Sequence, residues 1–107
     1  NIGNVMVNST IYASDLWRSI KNPNRFYQFK VDNKNYLGSE NGAFYFGGSI
    51  TSYRNMTNST NPLFAIVQFN YSDSSDEAEI DINLTVPSTE GSGVRNSTVV
   101  VTAELAE

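Results

Sequence analysis

The sequence predicts an all-β fold: a single β-sandwich of about seven strands, Ig-like or jelly-roll-like in connectivity, with an extended N-terminal strand. Its 107 residues fit one domain. The apolar residues are largely Val, Ile, Phe and Tyr, the types that suit a pleated surface. Short strand-like segments recur with turn residues between them, as in two-sheet β proteins. We therefore expect an extended strand over residues 1–13, followed by a sandwich domain over residues 14–107.

The first third of the chain contains two strand patterns and one helical turn. Residues 4–13 are extended in pattern, with Val5, Val7 and Ile11 on one face. The pattern of residues 14–20 predicts a single helical turn, which Ser14 caps and a turn at 21–24 ends. A strand follows over 25–31, and a tight turn at 32–33 predicts a short return strand over 35–37.

The remaining segments predict four further elements of the sandwich. They are a strand over 43–52 with a bulge at its Gly-Gly pair, a central strand over 63–71 covered on both faces, an alternating strand over 78–86 and a last long strand over 94–105. Between them, residues 53–62 are polar and predict an exposed loop. Residues 72–77 form an acidic loop, and 87–93 a flexible connection.

Composition indicates an extracellular or cell-surface protein. Charged residues make up only 17% of the chain, and its neutral polar residues are 14 Asn and 21 Ser or Thr. The net charge of −4 without a basic cluster argues against nucleic-acid binding. No apolar run reaches transmembrane length, so no membrane span is expected. Because the chain starts with Asn rather than Met, we expect that a leader was removed or the sequence trimmed.

The chain lacks the residues on which most catalytic and zinc sites depend. It has no His and no Cys, which excludes Ser-His and Cys-His nucleophiles and thiolate or imidazole metal ligands. A carboxylate pair for glycoside cleavage is the one arrangement left open. Asp73, Asp76 and Glu77 form a weak calcium candidate, although a solvated acidic turn is the favoured interpretation. We expect no enzyme activity, no metal and no cofactor.

The strongest motif is a set of six Asn-x-Ser/Thr triplets without Pro at the middle position. This is about twice the number expected by chance in so Asn- and Thr-rich a chain. The alternative is that Asn and Thr simply serve as neutral polar residues. The triplets predict covalent N-linked glycans at Asn8, Asn55, Asn58, Asn70, Asn83 and Asn96.

Together these features resemble the subunits of archaeal extracellular filaments. The chain is rich in Asn, Ser and Thr, free of Cys, dense in glycosylation triplets and begins with an extended strand over residues 2–12. It is similar to the thread filaments of thermoacidophilic archaea and, more loosely, to TasA-like bundling pili. The resemblance implies a glycosylated head whose N-terminal strand fills a groove in the next subunit, with Val5, Val7 and Ile11 as insertion side chains. Type IV pilins and archaellins are excluded, because their long apolar N-terminal helix is missing.

Three hypotheses of function follow. The first is a structural subunit of a glycosylated extracellular filament, in which copies of the chain join head to tail by donor-strand complementation and adhere to other cell surfaces. The alternative is a monomeric secreted or viral surface module that binds a receptor or a carbohydrate through exposed aromatic residues. The third, a secreted enzyme, requires carboxylates that converge in a pocket.

Overall fold

The computed structural model describes residues 1–33, 42–72 and 75–106. Within them the chain is nearly all β, with one short 3-10 turn at Phe46–Gly48. The strands are β1 (Val7–Ala13), β2 (Tyr27–Asn33), β3 (Arg54–Asn55), β4 (Leu63–Phe69), β5 (Ala78–Leu84) and β6 (Val99–Leu105). The all-β prediction is therefore confirmed, whereas the count of about seven strands stays a prediction. The return strand expected at 35–37 lies outside the described residues.

The strands form two three-stranded antiparallel sheets around a shared core. Their orders are β4-β1-β6 and β3-β2-β5, so β1 and β2 are the central strands. Ile11 of β1 and Phe29 of β2 are fully buried, and both belong to the same hydrophobic cluster. Alternation explains this, because every second residue of a strand points to the same face.

Segment 43–57 closes one side of the structure by hydrogen-bonding to both sheets. The Ile50 N–H donates to the Ala65 carbonyl of β4 at 3.0 Å, and the Ile50 carbonyl accepts from the Val31 N–H of β2 at 2.7 Å. Further along, the Met56 N–H donates to the Tyr27 carbonyl at 2.8 Å. This segment, which includes β3, thus covers the outer edge of β4 and the edge of β2 opposite β5. By the strand order, β5 and β6 flank the opposite side.

The two neighbours of β1 are paired to it in different ways. β6 pairs with β1 over seven consecutive residues without interruption. The pairing with β4 contains two register shifts, and Gln68 of β4 has a φ of 54°. The Gln68 N–H donates to the Asn8 side-chain oxygen at 2.9 Å. β4 is therefore a bulged strand, whereas β6 is regular.

Two of the strand predictions are wrong: one segment is not a strand, and the other is a strand but not a central one. Residues 43–52 form the bridging segment with a 3-10 turn rather than a strand. Residues 63–71 were expected to be a central strand, but β4 is an edge strand in the sheet order. The register shifts explain the misleading pattern, because they allow the consecutive residues Ala65 and Ile66 both to be buried.

Three other segments differ from prediction. Residues 14–20 form bends instead of a helical turn; the Asp15 carboxylate accepts from the Asn22 N–H at 2.8 Å, and the Trp17 indole donates to the Phe26 carbonyl at 3.1 Å. The loop expected at 53–62 contains β3 and the buried Met56 and Thr57. The last strand begins at Val99 rather than at residue 94. The division into 1–13 and 14–107 stays a prediction.

Candidate functional site

The N-terminal strand β1 holds two of the three predicted insertion side chains. Val7 is half-buried opposite Phe69 and Leu105, and Ile11 is fully buried opposite Leu63 and Val101. Val5 precedes the strand and is exposed. The structure thus brings Val7 and Ile11 onto one face of a strand that is hydrogen-bonded on both edges.

The residues before β1 fold back against the end of β4. The ammonium group of Asn1 donates to the Asp76 carbonyl, and its side-chain amide donates to the Phe69 carbonyl at 3.1 Å. The same amide also donates to the Val5 carbonyl at 3.1 Å. Ile2 is fully exposed. These contacts leave Ile2 as an apolar side chain in water beside β4.

The side of the molecule between β5 and β6, which we term the open side, exposes inward-facing apolar residues. Opposed residues of an antiparallel pair share a face of the sheet. Val101 lies opposite the fully buried Ile11 yet is 49% exposed, and Ile82 lies opposite the fully buried Phe29 yet is 43% exposed. The other large side chains of this inward-facing set that are exposed are Leu84, Val99 and Leu105. In the described part of the chain, β5 and β6 each have a single neighbouring strand.

The free edge of β6 also presents main-chain hydrogen-bonding groups. The Ala106 N–H donates to the Met6 carbonyl at 3.1 Å, and the Ser14 N–H donates to the Thr98 carbonyl at 3.0 Å. In an antiparallel ladder, hydrogen-bonded and non-hydrogen-bonded pairs alternate. The even-numbered residues of β6 therefore direct their N–H and C=O groups to β1, and the odd-numbered residues direct theirs away from it. An unpaired edge of this kind is a template for another strand.

A hydrogen-bonded carboxylate holds the connection from β5 to β6 at one end of the open side. Glu90 is 2% exposed at its side chain and forms an ion pair with Arg95. It accepts from the Ser19 hydroxyl at 2.7 Å, the Ser19 N–H at 3.0 Å and the Arg18 N–H at 3.1 Å. The Ser19 hydroxyl is the main cause that lowers the pKa of Glu90 to about 2; burial opposes this shift, and the backbone donors and Arg95 support it.

The six triplet asparagines differ in their surroundings. The side chains of Asn83 and Asn96 are exposed and form no hydrogen bond with the described residues, although the main chain of Asn83 pairs with Gln28 in the sheet. Asn58 and Asn70 are half-buried, and their amide nitrogens donate to the Asn22 carbonyl and the Ser75 hydroxyl. The other two are also half-buried, with side-chain oxygens that accept from other residues; they are Asn8 and Asn55. Solvent access for a glycan is therefore best at Asn83 and Asn96.

The weak calcium candidate is only partly described. Asp73 lies outside the described residues, Asp76 is half-buried and Glu77 is exposed. Within residues 1–33, 42–72 and 75–106, no three acidic side chains come together as a metal site would require. The same part of the chain contains no helix long and apolar enough to cross a membrane.

A cavity of about 380 Å³ lies near the end of β1. Its polar lining includes Ser14, Asp15, Asn58 and Thr98, and Tyr12 supplies an aromatic wall. A small polar ligand fits the chemistry of such a lining. A glycan attached to Asn58 would compete for the same space.

No protein-family model matches the chain, and comparison with the curated proteins and with the solved structures yields no match. The site is therefore argued from its own geometry. Sequence reasoning found the residues of β1 but missed the open side. The signal was present in the clean alternation of residues 78–84, but alternation identifies an apolar face without showing whether a neighbour covers it. Residues 99–105 carry no such signal, because they begin with three consecutive valines.

Proposed function

We propose that the chain is a structural subunit of a glycosylated extracellular filament, in which strand β1 of one copy completes the sheet of the next. The observation that carries the proposal is the position of β1 between β4 and β6. Its inward residues fill the core, and both of its edges are hydrogen-bonded. A strand of this kind is the insert that donor-strand complementation requires.

Exchange of β1 between copies preserves these contacts. The slot between β4 and β6 accepts the same side chains whether β1 comes from its own chain or from a neighbour, as in domain swapping. Residues 14–26 connect β1 to β2 without a strand or helix, so they are the segment that extends when the strand is exchanged. Each copy then donates one strand and accepts another, and the contact propagates head to tail.

The polar surface supports the extracellular part of the proposal. Asn83 lies on the outward face of β5 and Asn96 in the loop before β6, and both side chains are exposed. A glycan at Asn83 lies on the outer face of β5, outside the β1 slot, whereas Asn96 borders residues 15–18 of the connection that follows β1. Glycans at these positions add solubility to a chain in which only 17% of the residues are charged.

The experiment introduces a cysteine pair across the β1–β6 ladder. Tyr12 and Val100 are directly opposed, and a hydrogen-bonded pair has a Cα separation of about 5.5 Å, which a disulfide spans. Since the chain has no other cysteine, the double variant Tyr12→Cys/Val100→Cys reports only this pair. The two single variants are the matched controls.

Oxidised fibres of the double variant should give a ladder of covalent multimers on non-reducing gels, because β1 and β6 belong to different chains. The single variants should give no ladder. Fibres that contain only internally bridged monomers would show that β1 remains in its own sheet and would refute strand exchange. Electron microscopy of the same samples establishes whether fibres are present.

The cavity beside Tyr12 favours a second candidate function, a monomeric module that binds carbohydrate. Its polar lining, with the Asp15 carboxylate and the Tyr12 ring, suits a sugar ring. Glycan-array binding that is lost in Asp15→Ala, by a protein that remains monomeric, would favour this function over the filament.

A further inference from the structure

We propose that the open side is a twofold contact between two copies of this chain, formed by antiparallel pairing of the free β6 edges. This contact is separate from the β1 slot, which lies on the other edge of β6. It does not depend on strand exchange.

Among the described residues, both layers are uncovered at the same side. Inward-facing residues of β5 and β6 are exposed, including Ile82 at 43% and Val101 at 49%. A single added strand pairs with one of the two edges, whereas the open side of a second copy presents two layers at the same separation. A twofold axis through this side pairs β6 with the partner's β6 and brings the exposed inward side chains of both β5 strands under the joined sheet, so both apolar faces are covered without a β5–β5 ladder.

The distribution of charged residues favours β6 over β5 as the strand whose edge pairs with the second copy. The outward face of β5 contains Glu79 and Asp81. Lys30 lies 3.7 Å from Asp81 but also binds Asp32 at 3.4 Å. A β5–β5 ladder would therefore bring acidic residues of two copies together. β6 contains a single charged residue, Glu104.

The free edge of β6 can also pair in register with the same edge of a second copy. In an antiparallel pair centred on Thr102, the odd-numbered residues, whose main-chain groups point outward, hydrogen-bond to odd-numbered residues of the partner. Val101 then pairs with Ala103, and all seven residues of the strand are used. Glu104 lies opposite the partner's Val100, so the two carboxylates do not meet.

The regularity of β6 makes this pairing accessible. Its seven-residue ladder with β1 has no bulge, and the strand contains neither Pro nor Gly. Protected edges in monomeric proteins are usually short, bulged, charged or covered. In the part of the chain that the structure describes, β6 has none of these protections apart from Glu104.

Disulfide trapping tests the contact and its register. In the proposed pairing, Thr102 lies opposite its own copy at a Cα separation of about 4.5 Å, which suits a disulfide. Two Glu104 residues are offset by four positions, about 13 Å along the strands. Thr102→Cys should therefore form covalent dimers at least roughly tenfold faster than the matched control Glu104→Cys. In a mixture of the two variants, Val100→Cys and Glu104→Cys should form disulfide-linked mixed dimers. Neither variant alone should form covalent dimers at that rate.

Sedimentation equilibrium provides a readout without cysteine. The wild-type chain should show a monomer–dimer equilibrium, and Val101→Lys should weaken dimerisation by more than about tenfold, because it places a charge in the apolar contact. Phe64→Lys is the control, since Phe64 is a half-exposed apolar residue of β4 on the opposite flank of the sheet, and it should leave the dimer unchanged.

Three results would overturn the proposal: a monomeric wild-type chain, equal trapping of Thr102→Cys and Glu104→Cys, or dimers that survive Val101→Lys. If the chain is monomeric and Thr102→Cys traps no dimer, the open side would instead bind a donor strand or another protein. Because Thr102→Cys reports dimers in solution and the Tyr12–Val100 pair reports fibres, failure of one proposal is distinguished from failure of the other.

Discussion

The two strands that flank β1 differ in how their outer edges are treated. β4 is bulged twice along β1, and segment 43–57 covers its outer edge through the Tyr45 and Ile50 N–H groups. β6 has no register shift along β1, has no second neighbouring strand among residues 1–33, 42–72 and 75–106, and exposes its inward side chains. The β4 flank shows how an isolated domain protects a sheet edge. This contrast between the two flanks is the basis of the contact proposed for β6.

The largest expected effect compares the buried Ile66 on the β4 flank with the half-exposed Val101 on the β6 flank. Ile66 of β4 is 4% exposed, so Ile66→Ala should lower the free energy of unfolding by about 2–5 kcal/mol. Val101→Ala on β6 should cost less than about 1 kcal/mol, since half of the side chain is already in water. Urea denaturation at concentrations where the protein is monomeric checks both. Equal losses would remove the difference between the flanks.

A smaller effect is expected from the cover of β4. The Ser49 hydroxyl accepts from the Val67 N–H at 2.9 Å and donates to the Tyr45 carbonyl at 2.8 Å. Ser49→Ala should destabilise the protein by about 1–2 kcal/mol and speed hydrogen exchange at Val67. The control is Ser52→Ala, because Ser52 is exposed and has no hydrogen bond to the described residues. Unchanged exchange at Val67 would mean that Ser49 does not protect this edge.

The third effect depends on pH and concerns the connection from β5 to β6. The pKa of Glu90 is lowered from 4.5 to about 2 in the folded chain, so its anion stabilises the fold. That stability is present above about pH 4.5 and is lost as the pH falls through about 2. The stability difference between wild type and Glu90→Gln should be constant near neutral pH and shrink over this window. Thermal unfolding as a function of pH measures it, and a pH-independent difference would contradict the assignment.

The sequence predicted the strands in which apolar and polar side chains alternate and whose pairing with the next strand has no register shift. The alternation around Phe29 and Ile82 correctly indicated strands, because one face of each carries the apolar residues. It failed at β4, where register shifts allow Ala65 and Ile66 to be buried together. It also failed at Ile50, whose main chain bonds to both sheets, since a backbone bridge leaves no pattern of side chains.

The candidate sites were predictable to the same limited extent. Ile11 was identified as an inward residue of the first strand, but its two neighbours could not be inferred from local pattern. The open side was not predicted, because exposure of Val101 depends on the order of strands in the sheets. Among the predicted glycan positions, the exposure of Asn83 followed from alternation, whereas the half-buried Asn58 depends on a distant contact with Asn22.

The pairing of β1 with β6 has a consequence for the order of folding. It joins residues 7–13 to residues 99–105, so nearly the whole chain separates the two strands. Contacts between such distant segments form slowly, because the intervening chain must first be ordered. Until β6 pairs with β1, one edge of β1 lacks a partner strand. Every neighbouring chain at the same stage of folding has the same unpaired edge. If β1 exchanges between chains as proposed, folding at high local concentration favours the exchanged form, and folding in dilute solution favours the closed monomer.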